Sequence, residues 1–163
     1  MAKAMKTLDE LLVHELQDLY DAEHQLTKAL PKMAKAATSR QLSNAFEAHL
    51  SQTEQHIQRL EQAFEALGKK ATRKPCKAMK GLIAEGEETM EEEMDKDVMD
   101  AALIGAAQKV EHYEIAGYGT VCTFAEMTGN SRVATILNET LEEEKHADEK
   151  LTQIAQKVNT KAM

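Results

Sequence analysis

The chain is poor in residues that interrupt helices: its 163 residues include 2 prolines, 7 glycines and no tryptophan, and aromatic residues make up 4%. Ala, Leu, Glu, Lys, Gln and Met are abundant instead, and all of them favour helices. The sequence also lacks an apolar run of 18 residues, so no transmembrane helix and no membrane partner are predicted. Its first residues contain no apolar signal core. We therefore expect a soluble, cytoplasmic, all-α protein.

Cysteine and positive charge are scarce too. The 2 cysteines, Cys76 and Cys122, are too few for a disulfide framework, which agrees with a reducing cytoplasm. The chain has 28 acidic and 20 basic residues, and its formal net charge is −8. Nucleic-acid binding usually requires a basic face, so the charge argues against a nucleic-acid partner and slightly favours a cation as ligand.

Two distant stretches of the sequence look like copies of one helical hairpin. Glu23 matches Glu114 and Gln52 matches Glu143 at the same offset, because 114 − 23 and 143 − 52 both equal 91. The same offset aligns apolar and capping positions, namely Leu42 with Val133, Phe46 with Leu137, Leu50 with Leu141, Leu60 with Leu151, and Ser39 with Asn130. A duplicated hairpin with carboxylates in its apolar face suits a two-metal helical bundle.

Start and stop signals divide the chain into two hairpins and a crossover. A capping box at Thr7 and a glycine at Gly68 bound the first hairpin, about residues 7–68, whose first helix is expected to bend at Pro31. The crossover, about 69–97, carries a short fifth helix, and the second hairpin covers about 98–158. Four long helices with a long crossover predict a single ferritin-like four-helix bundle over residues 1–163.

Glutamates interrupt the apolar stripe of two predicted helices. Glu23 and Glu114 each occupy a position where the 3–4 spacing of the stripe calls for leucine. A buried carboxylate must find a partner or hold a proton, and a divalent cation between the two would satisfy both. The alternative is that each pairs with Lys, Arg or Tyr, or lies at the wet edge of the bundle.

The opposing helices are expected to supply the remaining ligands. Counting from the predicted turns sets Glu23 opposite residues 52–54 and Glu114 opposite residues 143–145. The candidates there are Gln52, Glu143 and Glu144, and Glu143-x-x-His146 has the spacing of metal ligands on adjacent turns. Oxygen and imidazole donors favour iron or manganese.

Several neighbouring residues remain open between roles. His49 and His56 are interpreted equally well as ligands, as residues that orient ligands, or as polar core residues. Glu111 lies one turn from Glu114, so both could reach one ion. Tyr20, the repeat partner of Glu111, is a candidate hydrogen-bond donor to a ligand carboxylate. Tyr113 and Tyr118 are expected to pack in the core, and His14, His24 and His112 to lie outside the ligand set.

The sequence also resembles a known family. The segments that carry the resemblance are DLYDAEHQLTKALPKMAKA, AFEAHLSQTEQHIQRLE, MKGLIAEG, DAALIGAAQKVEHYEIAGYGT and ETLEEEKHADEKL. They resemble the YciE/YciF group of bacterial ferritin-like stress proteins, and most closely its YciF members. The resemblance implies a bundle, usually a homodimer, related in architecture to rubrerythrin and manganese catalase. It implies a di-metal site whose carboxylate positions are Glu23, Glu111, Glu114 and Glu143, and many relatives have Glu where this chain has Gln52.

Three functions follow as hypotheses. The first is a site for two iron or manganese ions that acts on a small oxidant, peroxide or oxygen, with Glu23, Glu114 and Glu143 as principal ligands; Gln52, Glu111, Glu144 and His49 would complete or orient the shell. The second is a non-catalytic structural bundle that keeps a degenerate metal site. The third is metal storage in a larger assembly. Because Tyr20 and Gln52 replace acids in the first hairpin, we expect unequal halves, with the stronger one on the second hairpin.

Overall fold

The computed structural model describes residues 4–163, which form five helices and no strand. The helices are α1 (Leu8–Ala36), α2 (Arg40–Ala66), α3 (Lys77–Glu91), α4 (Lys96–Met127) and α5 (Ser131–Ala162). The predicted all-α class is confirmed. None of these helices has the length and hydropathy needed to cross a membrane. Met1, where the predicted domain begins, lies outside the described residues.

Most of the predicted helix ends are correct because local capping chemistry fixes them. The Thr7 side chain accepts from the Glu10 amide and the Glu10 side chain caps in return, which is the predicted capping box. Ser39 accepts from the Leu42 amide at the start of α2. Gly68 follows α2 with φ +64°, a conformation that glycine adopts without strain. Pro31 lies within one continuous helix α1.

Helix α5 begins where it was predicted to begin, but its N-terminal capping and its end differ from the prediction. Asn130 makes no side-chain capping bond to the helix, and its amide donates to Asp9 and to Thr128 instead. The last helix continues to Ala162, beyond the predicted end near residue 158. Its apolar face continues with it, since Ile154 and Val158 are buried in the core.

The four long helices contact one another in a ring. Helix α1 packs against α2 and α4, and α5 packs against the other sides of α2 and α4. The short helix α3 lies outside this ring, against α1 and α4. At Gly117 a Cβ atom would lie 2.8 Å from Leu19 Cδ2, so glycine leaves room there for the Leu19 side chain of α1.

The segment between α2 and α4 is anchored to α1 by a buried carboxylate. Asp21 accepts from the Cys76 amide at 2.7 Å and from Arg73 Nε at 2.9 Å. Asp100, near the start of α4, accepts from the Thr38 and Ser39 amides of the α1–α2 turn, both at 2.7 Å. These contacts fix where the crossover begins and where α4 begins.

The apolar core forms two clusters. In the first cluster lie Leu26, Leu30, Leu42, Phe46, Leu103, Ala107, Val110, Leu151 and Ile154. In the second lie Leu12, Leu16, Leu60, Phe64, Tyr118, Val121, Val133 and Leu137. Along each long helix, buried polar residues fall between the stretches that belong to the two clusters. A polar layer therefore crosses the ring of helices near its middle.

Candidate metal centre

The polar layer is acidic and almost inaccessible to solvent. Glu23, Glu114 and Glu144 are each 0% exposed and Glu111 is 3% exposed. Two histidines accompany them, His49 and His56. Among the described residues no lysine or arginine is buried, so nothing in the layer except the histidines can offset the carboxylate charge. Buried carboxylates without counter-charge are costly, and the layer therefore calls for protons or cations.

One set of donors, which we call the four-residue group, comprises His49, Glu111, Glu114 and Glu144. One donor atom from each lies within 4.8 Å of the others. His49 Nε2 lies 3.1 Å from Glu111 Oε1 and 3.5 Å from Glu144 Oε2. Three of the four residues come from α4 and α5, the helices of the second predicted hairpin. The set offers oxygen and imidazole nitrogen, which suit iron, manganese or zinc better than calcium or copper(I).

A second set, the three-residue group, comprises Glu23, His56 and Glu144, again with donor atoms within 4.8 Å. His56 Nδ1 lies 3.3 Å from Glu23 Oε1 and 3.0 Å from Glu144 Oε1. Glu144 therefore belongs to both groups and presents one oxygen to each histidine. This arrangement allows one carboxylate to bridge two ions.

The donors of the two groups are short of hydrogen bonds. Among the described residues, nine buried side-chain nitrogen or oxygen atoms have no hydrogen-bond partner, and all but His14 Nδ1 belong to these groups. Both oxygens of Glu114 and both oxygens of Glu144 are included. Native proteins rarely leave buried polar atoms unsatisfied, and donor atoms grouped in this way could hold a metal ion.

The second nitrogen of each histidine has its own acceptor. His49 Nδ1 lies 3.3 Å from Gln52 Oε1, and His56 Nε2 lies 2.8 Å from Glu143 Oε2. Glu143 is also held by Arg59, at 2.8 and 2.9 Å. In the neutral ring, an acceptor on one nitrogen fixes the proton there and leaves the other nitrogen free to bind a metal ion.

This geometry assigns Gln52 and Glu143 a different place from the predicted one. Both were expected to be ligands. In the structure Glu143 lies outside the two groups of histidine and carboxylate donors and contacts His56, and Gln52 contacts His49; a ligand role for either stays a prediction. The spacing of Glu143 and His146 does not describe the site either. His146 is exposed, with Nδ1 2.9 Å from the Glu142 carbonyl.

The tyrosine roles are exchanged relative to the prediction. Tyr118 is fully buried and donates to Glu23 Oε1 at 2.5 Å. Tyr20 donates to Glu61 at 2.8 Å, outside the layer. Tyr113 donates to Asp18 and contacts Cys76 Sγ at 3.1 Å. Burial raises the pKa of Tyr118 well above its ordinary value, so its hydroxyl stays a donor.

The sequence prediction gave two residues too little weight. It left the role of His56 open, and it gave Glu144 only a supporting role. A repeat of the 3–4 spacing would have found them. Steps of four and three residues from Leu137 lead through Leu141 to Glu144, and steps of three and four from Phe46 lead through His49 and Thr53 to His56. The apolar stripe of each helix is the signal, since it marks the positions that point inward.

The carboxylates at the centre of the layer tend to hold protons. Burial, and then the Glu144 and Glu23 carboxylates, raise the pKa of Glu114 well above its ordinary value. Burial, and then Glu111, do the same to the pKa of Glu144. A cation in the layer would replace these protons, because metal ligands must be deprotonated.

The histidines and the remaining carboxylates carry the charge. Burial acts to lower the pKa of His49, but the Glu111 carboxylate outweighs it and the pKa is raised. Burial also acts to lower the pKa of His56, but the Glu23 carboxylate outweighs burial and the pKa is raised. Burial acts to raise the pKa of Glu111, but attraction to His49 lowers it. The hydrogen bonds from Arg59 lower the pKa of Glu143 despite its partial burial.

Comparison with known proteins places the chain among close relatives. The model of a family described as a domain of unknown function, DUF892, matches residues 7–163. The chain is 51% identical to Protein YciF of Escherichia coli (strain K12) over 160 residues, which cover 97% of this chain and 96% of that protein.

Solved structures agree with this comparison. The crystal structure of the E. coli stress protein YciF matches with a TM-score of 0.93 at 50% identity, and covers 96% of this chain and 99% of that one. YcfI of Rhodopseudomonas palustris, to which a structural role is provisionally assigned, matches with a TM-score of 0.91 at 47% identity, over 93% and 97% of the two chains. A Xanthomonas campestris protein at 22% identity and a TM-score of 0.75 shares the fold alone.

Proposed function

The chain belongs to the DUF892 family and is similar to YciF, and on that premise we propose that its buried polar layer binds two divalent metal ions. The main support for this proposal is a set of eight buried donor atoms without hydrogen-bond partners, all of which belong to the two donor groups. Protons alone satisfy only part of this set, because an unprotonated carboxylate oxygen still needs a donor.

We assign the fold that carries this site to the ferritin-like four-helix bundles. The ring of α1, α2, α5 and α4 is the packing that such a bundle requires. The connection from Leu67 to Asp95, with α3 in it, is long enough to cross from one end of the ring to the other. In ferritin-like proteins the metal ligands project inward from these four helices, as the donors do here.

The donor groups fit two ions. His49, Glu111 and Glu114 would hold one ion, Glu23 and His56 the other, and Glu144 would bridge them with one oxygen each. The four carboxylates carry charge −4, which two divalent ions neutralise. Oxygen-rich ligation without cysteine favours iron or manganese. The unequal donor numbers lead us to expect unequal affinities.

Bound iron or manganese would supply a change of oxidation state, through which the site would act on peroxide or oxygen as part of stress protection. The chain's own residues prepare that chemistry. The apolar clusters above and below the layer exclude bulk water. Gln52 and Glu143 hold the histidine rings, and Tyr118 keeps one oxygen of Glu23 in place.

Metal content tests the proposal directly. The full-length protein, purified without chelators, should contain up to two equivalents of iron or manganese by elemental analysis. Added Fe(II) or Mn(II) should also raise the unfolding temperature of the metal-free protein, since binding to the folded state alone stabilises it, by about 2.7 kcal/mol at 100 times Kd. A protein that stays metal-free and ignores both ions would refute the site.

A structural role is the second candidate, and the provisional assignment of the R. palustris relative favours it. In that case the ions would only neutralise the layer and join the four helices. Peroxide consumption by the metal-loaded protein separates the two. Turnover that disappears with the chelated protein supports the oxidant reaction, whereas metal-dependent stability without turnover supports the structural role.

We also propose that the protein acts in the cytoplasm as a homodimer, as its resemblance to the YciF group implies. The chain mass is 18.1 kDa, so a dimer should have about twice that mass by light scattering. A monomer mass would overturn this part of the proposal and leave the metal site untouched. A much larger assembly would instead favour storage.

A further inference from the structure

A cavity of about 130 Å³ adjoins the four-residue group on the side of the first apolar cluster. All four long helices contribute to its wall. His49 and Glu111 reach it from the polar layer, so the cavity borders one metal group directly. The three-residue group does not contribute to it.

The cavity wall is apolar within and polar at the surface. Inside, it is formed by Leu26, Leu30, Met33, Phe46, Val110 and Leu151. Its mouth lies between α2 and α5, where the lining residues Ala48, His146 and Lys150 are exposed and Gln52 is half-buried. Lys150 forms no ion pair with any residue that the structure describes. The cavity thus has an apolar interior, a metal group beside it and a cationic entrance.

The volume exceeds what a small oxidant needs. A cavity of about 150 Å³ lined by apolar residues stays dry and accepts benzene. A cavity of this size therefore suits an apolar body of about six carbon atoms. Water gains little from the apolar part of the wall, so an apolar tail meets weak competition there.

The charge distribution decides which end of an amphipathic guest points inward. Two divalent ions and four carboxylates sum to zero, so the loaded layer leaves no positive charge for an anion. The metal-free layer is acidic and would repel one. Lys150, at the mouth, is the only lysine or arginine among the residues that line the cavity.

We propose that this cavity binds a small monocarboxylic acid, with a tail of about five to eight carbon atoms inside and the carboxylate at Lys150. That the bound tail lies beside a metal site rests on the proposed function; the binding itself does not. The tail would lie beside His49 and Glu111, where it would close the entrance to the four-residue group.

Hexanoate is the probe, and titration calorimetry on the full-length protein is the measurement. Two compounds serve as controls: acetate has the carboxylate of hexanoate without its tail, and hexan-1-ol has the tail without the charge. Each buried methylene should strengthen binding about fourfold, so hexanoate should bind on the order of 100-fold more tightly than acetate. Equal affinities of hexanoate and acetate would overturn the proposal, and equal affinities of hexanoate and hexan-1-ol would overturn the cationic mouth.

Two variants with matched controls locate the site. Lys150→Gln should weaken the binding of hexanoate about fivefold and leave the binding of hexan-1-ol unchanged. The control Lys157→Gln, two turns further along α5, should change the binding of neither compound.

Ala147→Phe should block the mouth and abolish the binding of both compounds. The control Ala116→Phe, at an exposed position of α4, should leave both able to bind. Ala107→Leu fills the cavity from within and serves where Ala147→Phe does not fold. Unchanged hexanoate binding in both filled variants would refute the location.

The titration is run on chelated and on metal-loaded protein to separate this inference from the proposed function. Hexanoate binding by a protein that takes up no metal would support the cavity and refute the metal site. Metal uptake without hexanoate binding would support the metal site and refute the cavity as a binding site for the acid.

Discussion

The two donor groups share Glu144 and differ in their other donors, in the residues that hold their histidines and in their access to a cavity. The four-residue group has three carboxylates and a histidine held by the neutral Gln52, and it borders a cavity. The three-residue group has two carboxylates and a histidine held by the charged Glu143. Arg59 covers Glu143, and Tyr118 occupies one oxygen of Glu23. We therefore expect the first group to bind metal more tightly and to be more accessible, and the second to be more enclosed.

The difference shows how a duplicated hairpin can produce unequal sites. The repeat partners Glu23 and Glu114 each supply a carboxylate to one group. The repeat partners Gln52 and Glu143 each orient a histidine. Both histidines, however, come from α2, and the bridging glutamate comes from α5. Thr53 stands at the repeat position of Glu144, fully buried, with its hydroxyl donated to the His49 carbonyl.

The largest effect is expected where the two groups meet. Glu144→Gln removes the shared charge, so both ions should bind more than about 100-fold more weakly, beyond the range usual for residues that only orient ligands. Elemental analysis should then find less than one equivalent of metal. Glu142→Gln, at an exposed position of the same helix, is the control. Retention of two equivalents by Glu144→Gln would exclude a bridging role.

A next pair of substitutions should separate the groups. Glu114→Gln and Glu23→Gln should each leave about one equivalent of metal, with the tighter ion lost from the first variant and the weaker ion from the second. Metal-free Glu114→Gln should gain stability, because it removes a buried carboxylate that others repel. A gain of about 1 kcal/mol corresponds to roughly 2–4 °C in Tm. Identical metal titrations for the two variants would contradict unequal groups.

The pH dependence of stability should reverse when metal binds. The raised pKa values of Glu114 and Glu144 mean that the folded state holds more protons than the unfolded state above about pH 4.3, so metal-free stability falls as pH rises through the folded pKa values. The raised pKa values of His49 and His56 act in the same direction, since their contribution is lost as pH rises through the folded values.

The carboxyls with lowered pKa values, Glu111 and Glu143, lose their contribution only as pH falls below about 4.3. Between pH 5 and 8 the Tm of chelated protein should therefore decrease by several degrees, roughly 2–4 °C for each kcal/mol. The increase in Tm on adding Mn(II) should grow over the same range, because metal displaces protons. Scanning calorimetry of both forms measures this, and a flat profile for the chelated protein would contradict it.

The smallest effect concerns the residues that hold the histidines. Gln52→Glu should strengthen metal binding at the four-residue group about tenfold, and Glu143→Gln should weaken the three-residue group by a similar factor. Competition titration with a metal indicator resolves changes of that size. A double variant that exchanges the two side chains should bring the affinities of the groups closer together. Loss of one whole equivalent in Glu143→Gln would make Glu143 a ligand after all.

Sequence reasoning reached most of the fold for identifiable reasons. Capping chemistry at Thr7, Ser39 and Gly68 acts over a few residues, so it is readable in the sequence. The buried stripes of α1 and α4, with Glu23 and Glu114 in them, follow from the helical period alone.

The structure differs from the sequence prediction where a neighbouring helix decides between adjacent residues. Glu143 and Glu144 differ by about 100° around α5, and only the position of α2 makes Glu143 meet Arg59 and His56 while Glu144 points into the layer. Tyr20 and Tyr118 were exchanged for the same reason, since the close approach at Gly117 brings Tyr118 to Glu23.

The sequence by itself determined the helical class, the helix boundaries and the presence of acids in apolar stripes, because each depends on local propensity or on a period along one helix. The tertiary structure alone decided which acids share a cation site, which residues orient the histidines and where a cavity opens beside them. Those properties depend on the rotation and height of one helix against another, and distances of 3 to 5 Å between side chains on different helices have no counterpart in sequence spacing.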